Sequence, residues 1–149
     1  MLMAKVFCYY ANERQKCKGV YEMEFKMKEN GFVTQTKYGE LHISPDDQDG
    51  FHPFQLMVSS IVGCSATMLR KILTKMRITF KDINVSVLVE RNETEARRIE
   101  KLHLHFEIFG KELRKEKIEK ALVLSRKNCA MIQSVQGSIQ VSESFEIVE

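Results

Sequence analysis

The sequence predicts an α+β chain. Three features carry that expectation: two-residue apolar alternation before residue 44, one long apolar helix led by Pro53, and a second alternating set after residue 82 that gives way to a charged helix. With 149 residues the chain has room for one full domain, read here as an 18-residue N-terminal extension (1–18) followed by a domain over 19–149. Hydrophobic content of 44%, charged content of 29% and a net charge of +3 describe a soluble globular protein and argue against a nucleic-acid partner. The apolar stretches read as short or interrupted, so no membrane span is expected. No leader pattern is read in the first ten residues, and the expected location is cytoplasmic.

The elements follow in order. Val20, Tyr21, Met23, Phe25 and Met27 interleave with charged residues, as a strand with one dry face requires. Asn30 and Gly31 supply a hairpin turn because both tolerate positive φ, and residues 32–38 return as a second strand. Gly39 turns the chain again into a short third strand around Leu41 and Ile43. After the polar loop SPDDQDG, His52 and Pro53 open a helix expected over 53–76. Phe54, Met57, Ile61, Cys64, Met68 and Ile72 keep three-and-four spacing along it, which places Cys64 on the expected core stripe. The small residues Ser59, Ser60, Gly63, Ser65 and Ala66 permit close approach by another helix, including one from a second subunit.

Ile83, Val85, Val87 and Val89 mark a fourth strand, and residues 99–109 a fifth whose Leu102, Leu104, Phe106 and Ile108 face one way. His103, His105 and Glu107 share the other face, a spacing compatible with a metal and equally with a solvated strand face. The run KELRKEKIEK begins a helix with Leu113, Ile118, Ala121, Leu122 and Leu124 inward. Asn128 is the expected N-cap of a short helix to residue 135, with Cys129 in its first turn and terminal strand material after Gly137.

Four cysteines stand at positions 8, 17, 64 and 129, none in a CxxC pair. Cys8 reads as core filling and Cys17, between Lys16 and Lys18, as a surface thiol. Taken together, the helix HPFQLMVSSIVGCSATML and the distant segment NCAMIQSV resemble the OsmC/Ohr family of thiol-dependent hydroperoxide reductases over about residues 20–149. The resemblance implies an OsmC-like fold, with antiparallel sheets around a long central helix, in an intertwined homodimer whose sites draw residues from both subunits.

It also implies that Cys64 is the peroxidatic cysteine and Cys129 the resolving one. A low-molecular-weight or lipoyl-type dithiol would re-reduce their disulfide, with no metal or other cofactor. Phe51, Phe54, Gln55, Met57 and Met68 are the candidate lining of the substrate site. Phe54 occupies the family's glutamate position, where a phenyl ring is not expected to orient the activating arginine. That cation is sought among Arg14, Lys16 and Lys18, since no arginine lies between Gln15 and Leu69. Without it, Cys64 in mid-helix is expected to titrate near an ordinary thiol, while Cys129, beside Arg126 and Lys127 at a helix start, is expected to favour its thiolate. Two functions therefore stand side by side: a cysteine-based reductase of hydroperoxides, organic ones above all, and a weakly catalytic or non-enzymatic module that binds a small ligand.

Overall fold

A computed structural model describes residues 22–149 of the chain. Cys8, Cys17, Arg14, Lys16, Lys18 and the start of the first expected strand lie outside the described residues. The chain divides into two compact units at Phe51/His52, inside the segment read above as one domain.

In the first unit, β1 (Lys26–Lys28), β2 (Gly31–Gln35) and β3 (Glu40–Ile43) form an antiparallel sheet in that order. Lys28 pairs with Gly31, so the two-residue connection is Glu29 and Asn30, one position earlier than expected. Gly31 is already in the strand with φ of 145°, and a Cβ there would collide with the Ile43 carbonyl. The second strand stops at Gln35, well before residue 38. The Thr36 hydroxyl takes the N–H groups of Tyr38 and Gly39 at 3.2 Å and donates to the Gly39 carbonyl at 2.7 Å, closing a turn that outcompetes the strand ladder.

The second unit holds α1 (Pro53–Lys75), β4 (Asp82–Arg91), β5 (Ile99–Phe109), α2 (Lys115–Asn128), α3 (Ala130–Val135) and β6 (Gln140–Val148). α1 begins as the sequence dictates, with Pro53 in the first turn and the His52 ring accepting the Phe54 N–H at 3.2 Å. An 18-residue window within its 23 residues reaches a mean hydropathy of 1.4, so by length and composition α1 is apolar enough to cross a membrane, contrary to the reading of short apolar stretches. A core helix passes the same test, and here Val58, Ile61, Ser65, Leu69 and Leu73 are buried. That buried row is turned one position from the expected stripe. Ser65 faces inward, and Cys64 sits half-buried at its margin.

The sheet of this unit runs β4-β5-β6 and is mixed, which corrects the expectation of purely antiparallel sheets. β4 and β5 pair antiparallel, whereas β6 lies parallel to β5 because the chain crosses over through α2 and α3 before returning. Leu102, Leu104, Phe106 and Ile108 are fully buried, as their alternation predicts. On the opposite face His103 bonds Ser142 and Ser144, and His105 bonds Ser144, each at 2.8 Å. Among the described residues, neither that face nor any other gathers three metal-ligating side chains.

α2 starts at Lys115, later than the charged run suggests, and buries Ile118, Ala121, Leu122 and Ser125. Leu124 is exposed instead of inward. Ser125 takes the inward position because its hydroxyl donates to the Ser65 carbonyl of α1 at 3.1 Å.

Candidate active site

Cys64 and Cys129 come together where α1 passes the junction of α2 and α3. Their side chains approach to 3.2 Å, and both thiols are free. Cys64 comes from the middle of α1, and Cys129 is the residue between the two shorter helices. The expected cap is shifted here: Asn128 closes α2, its amide donating to the Leu124 carbonyl at 2.8 Å, and Cys129 itself is the N-cap of α3. Cys129 carries no side-chain cap bond and is fully buried.

The electrostatics reverse the sequence-based expectation for Cys129 and place Cys64 on the low side of an ordinary thiol. Burial pushes the Cys64 thiol up, but the Met131 N–H, the Cys129 thiol, the Ala130 N–H and the charge of Lys71 together outweigh it and hold Cys64 below the ordinary thiol value. The unpaired N–H groups at the start of α3 thus serve the cysteine of another helix. Burial also pushes Cys129 up, the neighbouring Cys64 sulfur adds to this, and the Ile132 and Met131 N–H groups oppose it without prevailing. Arg126 does not offset that rise, because its guanidinium is spent on Glu143, 2.9 Å away.

Lys71 is readable from the sequence as a partner of Cys64, since seven residues separate two positions on one helical face and side chains lean toward the N-terminus. The N–H groups of α3 are not, because nothing in the sequence brings 130–131 to residue 64. A thiol held low stays reactive as pH falls below the free-thiol range and loses its reactivity only on crossing its own depressed pKa. Alkylation of Cys64 by iodoacetamide, followed by peptide mapping, is therefore expected to have its midpoint below that of free cysteine. Lys71→Met should move the midpoint upward; a midpoint at or above the free value would contradict this account of the site.

Of the candidate lining residues, Met68 stands one turn beyond Cys64. Phe54, Gln55 and Met57 lie up to ten residues earlier on α1, about 15 Å along the axis at its rise per residue. Phe51 belongs to the first unit and is exposed. Phe54 does engage a guanidinium after all: Arg91, from the end of β4, lies over its ring with the carbon 4.6 Å from the centroid. The Arg91 Nε donates to the Arg97 carbonyl at 2.7 Å, which fixes the cation there. Sequence reasoning sought a cation before the helix and passed over Arg91, which no local spacing ties to residue 54. It passed over Glu143 as well, although a carboxylate in the row Val141, Glu143, Phe145, Ile147 is out of place on a strand's apolar face.

A family model described as OsmC-like protein matches residues 45–144. The chain belongs to the OsmC-like protein family. The protein YhfA of Escherichia coli K12 is 29% identical over 97 residues, covering 64% of this chain and 72% of YhfA. A hypothetical protein from Aquifex aeolicus VF5 superposes with a TM-score of 0.77 at 27% identity, over 87% of this chain and 96% of the other. An organic hydroperoxide resistance protein OsmC from Legionella pneumophila shares the fold, with a TM-score of 0.65 at 17% identity over 87% of this chain and 99% of its own. The OsmC-like match ends at residue 144, so it takes in both cysteines and Glu143.

Proposed function

We propose that this OsmC-like chain reduces hydroperoxides, organic ones above all, through Cys64 and Cys129. The observation that carries the reading is the pair itself: two free thiols within 3.2 Å, one held below and the other above the ordinary thiol value. The low thiol is suited to attack and the high one to wait protonated. The Cys64 thiolate attacks the distal oxygen of the hydroperoxide, so that an S–O bond forms, the O–O bond breaks and the alkoxide leaves, taking a proton to become the alcohol. Cys129 then attacks the sulfenic sulfur. An S–S bond forms, the S–O bond breaks, and water leaves with the thiol proton. A low-molecular-weight or lipoyl-type dithiol reduces the disulfide by two exchange steps and is itself oxidised. None of these steps calls for a metal or another cofactor.

A homodimer belongs to the same proposal. Met57, Ser59, Ser60, Gly63 and Thr67 leave one face of α1 exposed, and a second copy laid on that face would cover it beside Cys64. The name of the Legionella structure agrees with an organic substrate, and Lys71 is the described cation whose charge favours the Cys64 thiolate.

The test is a thiol count. One equivalent of cumene hydroperoxide should remove both Cys64 and Cys129 from the free thiol pool and release cumyl alcohol, and dihydrolipoamide should restore both. Thiols that survive the peroxide untouched would instead mark a module that binds small ligands without turnover.

A further inference from the structure

Glu143 is the only charge on the inward row of β6. Val141, Glu143, Phe145 and Ile147 stand opposite Leu102, Leu104, Phe106 and Ile108, all four of which are fully buried. The Glu143 side chain is 1% exposed, a place where an unpaired carboxylate is strongly disfavoured. Both of its oxygens are satisfied. Oε1 accepts from the Ser65 hydroxyl at 3.0 Å and Oε2 from the Arg126 Nε at 2.9 Å.

Each partner sits beside one of the two thiols. Ser65 follows Cys64 directly, is itself fully buried, and is tied to α2 by the Ser125 hydroxyl on its carbonyl. Arg126 precedes Cys129 by three residues. Its carbonyl accepts the Cys129 N–H at 3.4 Å and the Gln133 side-chain amide at 3.2 Å, across the bend from α2 to α3. A single carboxylate on a sheet strand therefore holds the neighbour of each sulfur.

Stability alone is a weak reason for that carboxylate, because an apolar side chain of similar volume would complete the row without desolvating a charge, at the cost of the acceptor for the buried Ser65 hydroxyl. What it supplies is direction. Apolar contact between α1 and α2 is non-directional, whereas charge-assisted hydrogen bonds fix distance and angle. Disulfide closure needs that precision, since the two Cα atoms must lie within about 7 Å with their Cβ vectors converging.

We propose that Glu143 is a positioning residue that sets Cys64 and Cys129 at the separation from which they close to a disulfide, acting through Ser65 and Arg126. It rests on the redox-pair reading above. Its effect falls on the second step, water loss between the sulfenic acid and the Cys129 thiol, and on the stability of the resulting disulfide.

The experiment equilibrates the protein with reduced and oxidised glutathione, where two protein thiols become a disulfide as one glutathione disulfide becomes two glutathiones. Glu143→Gln keeps the shape and an acceptor for Ser65 but turns an amide toward Arg126. The effective molarity of the pair is expected to fall tenfold or more, a rise of about 30 mV in its potential. After one equivalent of cumene hydroperoxide, loss of the second thiol should slow by a similar factor. Sulfenic acid formation in a Cys129→Ser background should change less than twofold, and Arg126→Lys, which keeps a cation for Oε2, should retain most of the effective molarity. An unchanged effective molarity in Glu143→Gln overturns the proposal, as does equal slowing of both steps. Should Glu143→Gln fail to fold, Ser65→Ala removes one arm only, and the same split or its absence decides. The glutathione measurement needs no peroxide: a protein inert to peroxide that still loses effective molarity in Glu143→Gln retains the positioning role and loses the reductase reading. Wild-type turnover with an unchanged effective molarity in that variant retains the reductase reading and loses the positioning role.

Discussion

Cys64→Ser is expected to bring hydroperoxide turnover down to the uncatalysed rate. The variant exchanges the one sulfur that the Met131 and Ala130 N–H groups and Lys71 favour as an anion for a hydroxyl that those groups cannot ionise near neutral pH. Cys129→Ser has a different signature. The first oxidation survives, one equivalent of alcohol is released, and the chain stops at a Cys64 sulfenic acid that a dimedone-type reagent labels. Peptide mapping of that label separates the two roles. A label on Cys129 in the wild-type chain would exchange the assignments, and it would also contradict the directions in which burial and the α3 N–H groups move the two thiols.

Phe106→Ala is expected to cost about 3–5 kcal/mol, the range for emptying a large aromatic site in a close-packed core. Phe106 is the largest of the fully buried side chains among the described residues and lies between Val85 of β4 and Phe145 of β6 in the register of the mixed sheet. Against a domain stability of about 5–15 kcal/mol, that loss takes a large share of the fold. Leu88→Ala is the matched control. Leu88 is also apolar and on the neighbouring strand, but it points to the other face and is 72% exposed, so its removal should stay within about 0.5 kcal/mol. Urea midpoints of the two variants measure the difference, and similar shifts for both would mean that the sheet does not bury the face described.

Local periodicity carried most of the fold. The His52 and Pro53 start of α1, the alternation of Val85, Val87 and Val89, and the inward row from Leu102 to Ile108 were legible because each depends on neighbours within a few residues. The errors lie where distant segments compete for the same groups. Residues 36–38 left the strand because the Thr36 hydroxyl closes a turn, and Leu124 lost the inward position to Ser125 because Ser65 offers it a carbonyl.

By itself, the sequence determined the α+β character, the long apolar helix and the identity of the two thiols that the OsmC-like resemblance singles out. Tertiary structure alone decided how those thiols behave. A thiol's ionisation depends on the N–H groups, charges and solvent within a few ångströms of the sulfur, and at Cys64 the N–H groups that lower it come from Ala130 and Met131, more than sixty positions away in the chain. The same holds for Glu143, whose meaning rests on Ser65 and Arg126 being brought to one carboxylate by the crossover that sets β6 parallel to β5. Spacing in a sequence reports what can share a helix or a strand face, and contacts made across that crossover leave no periodic trace.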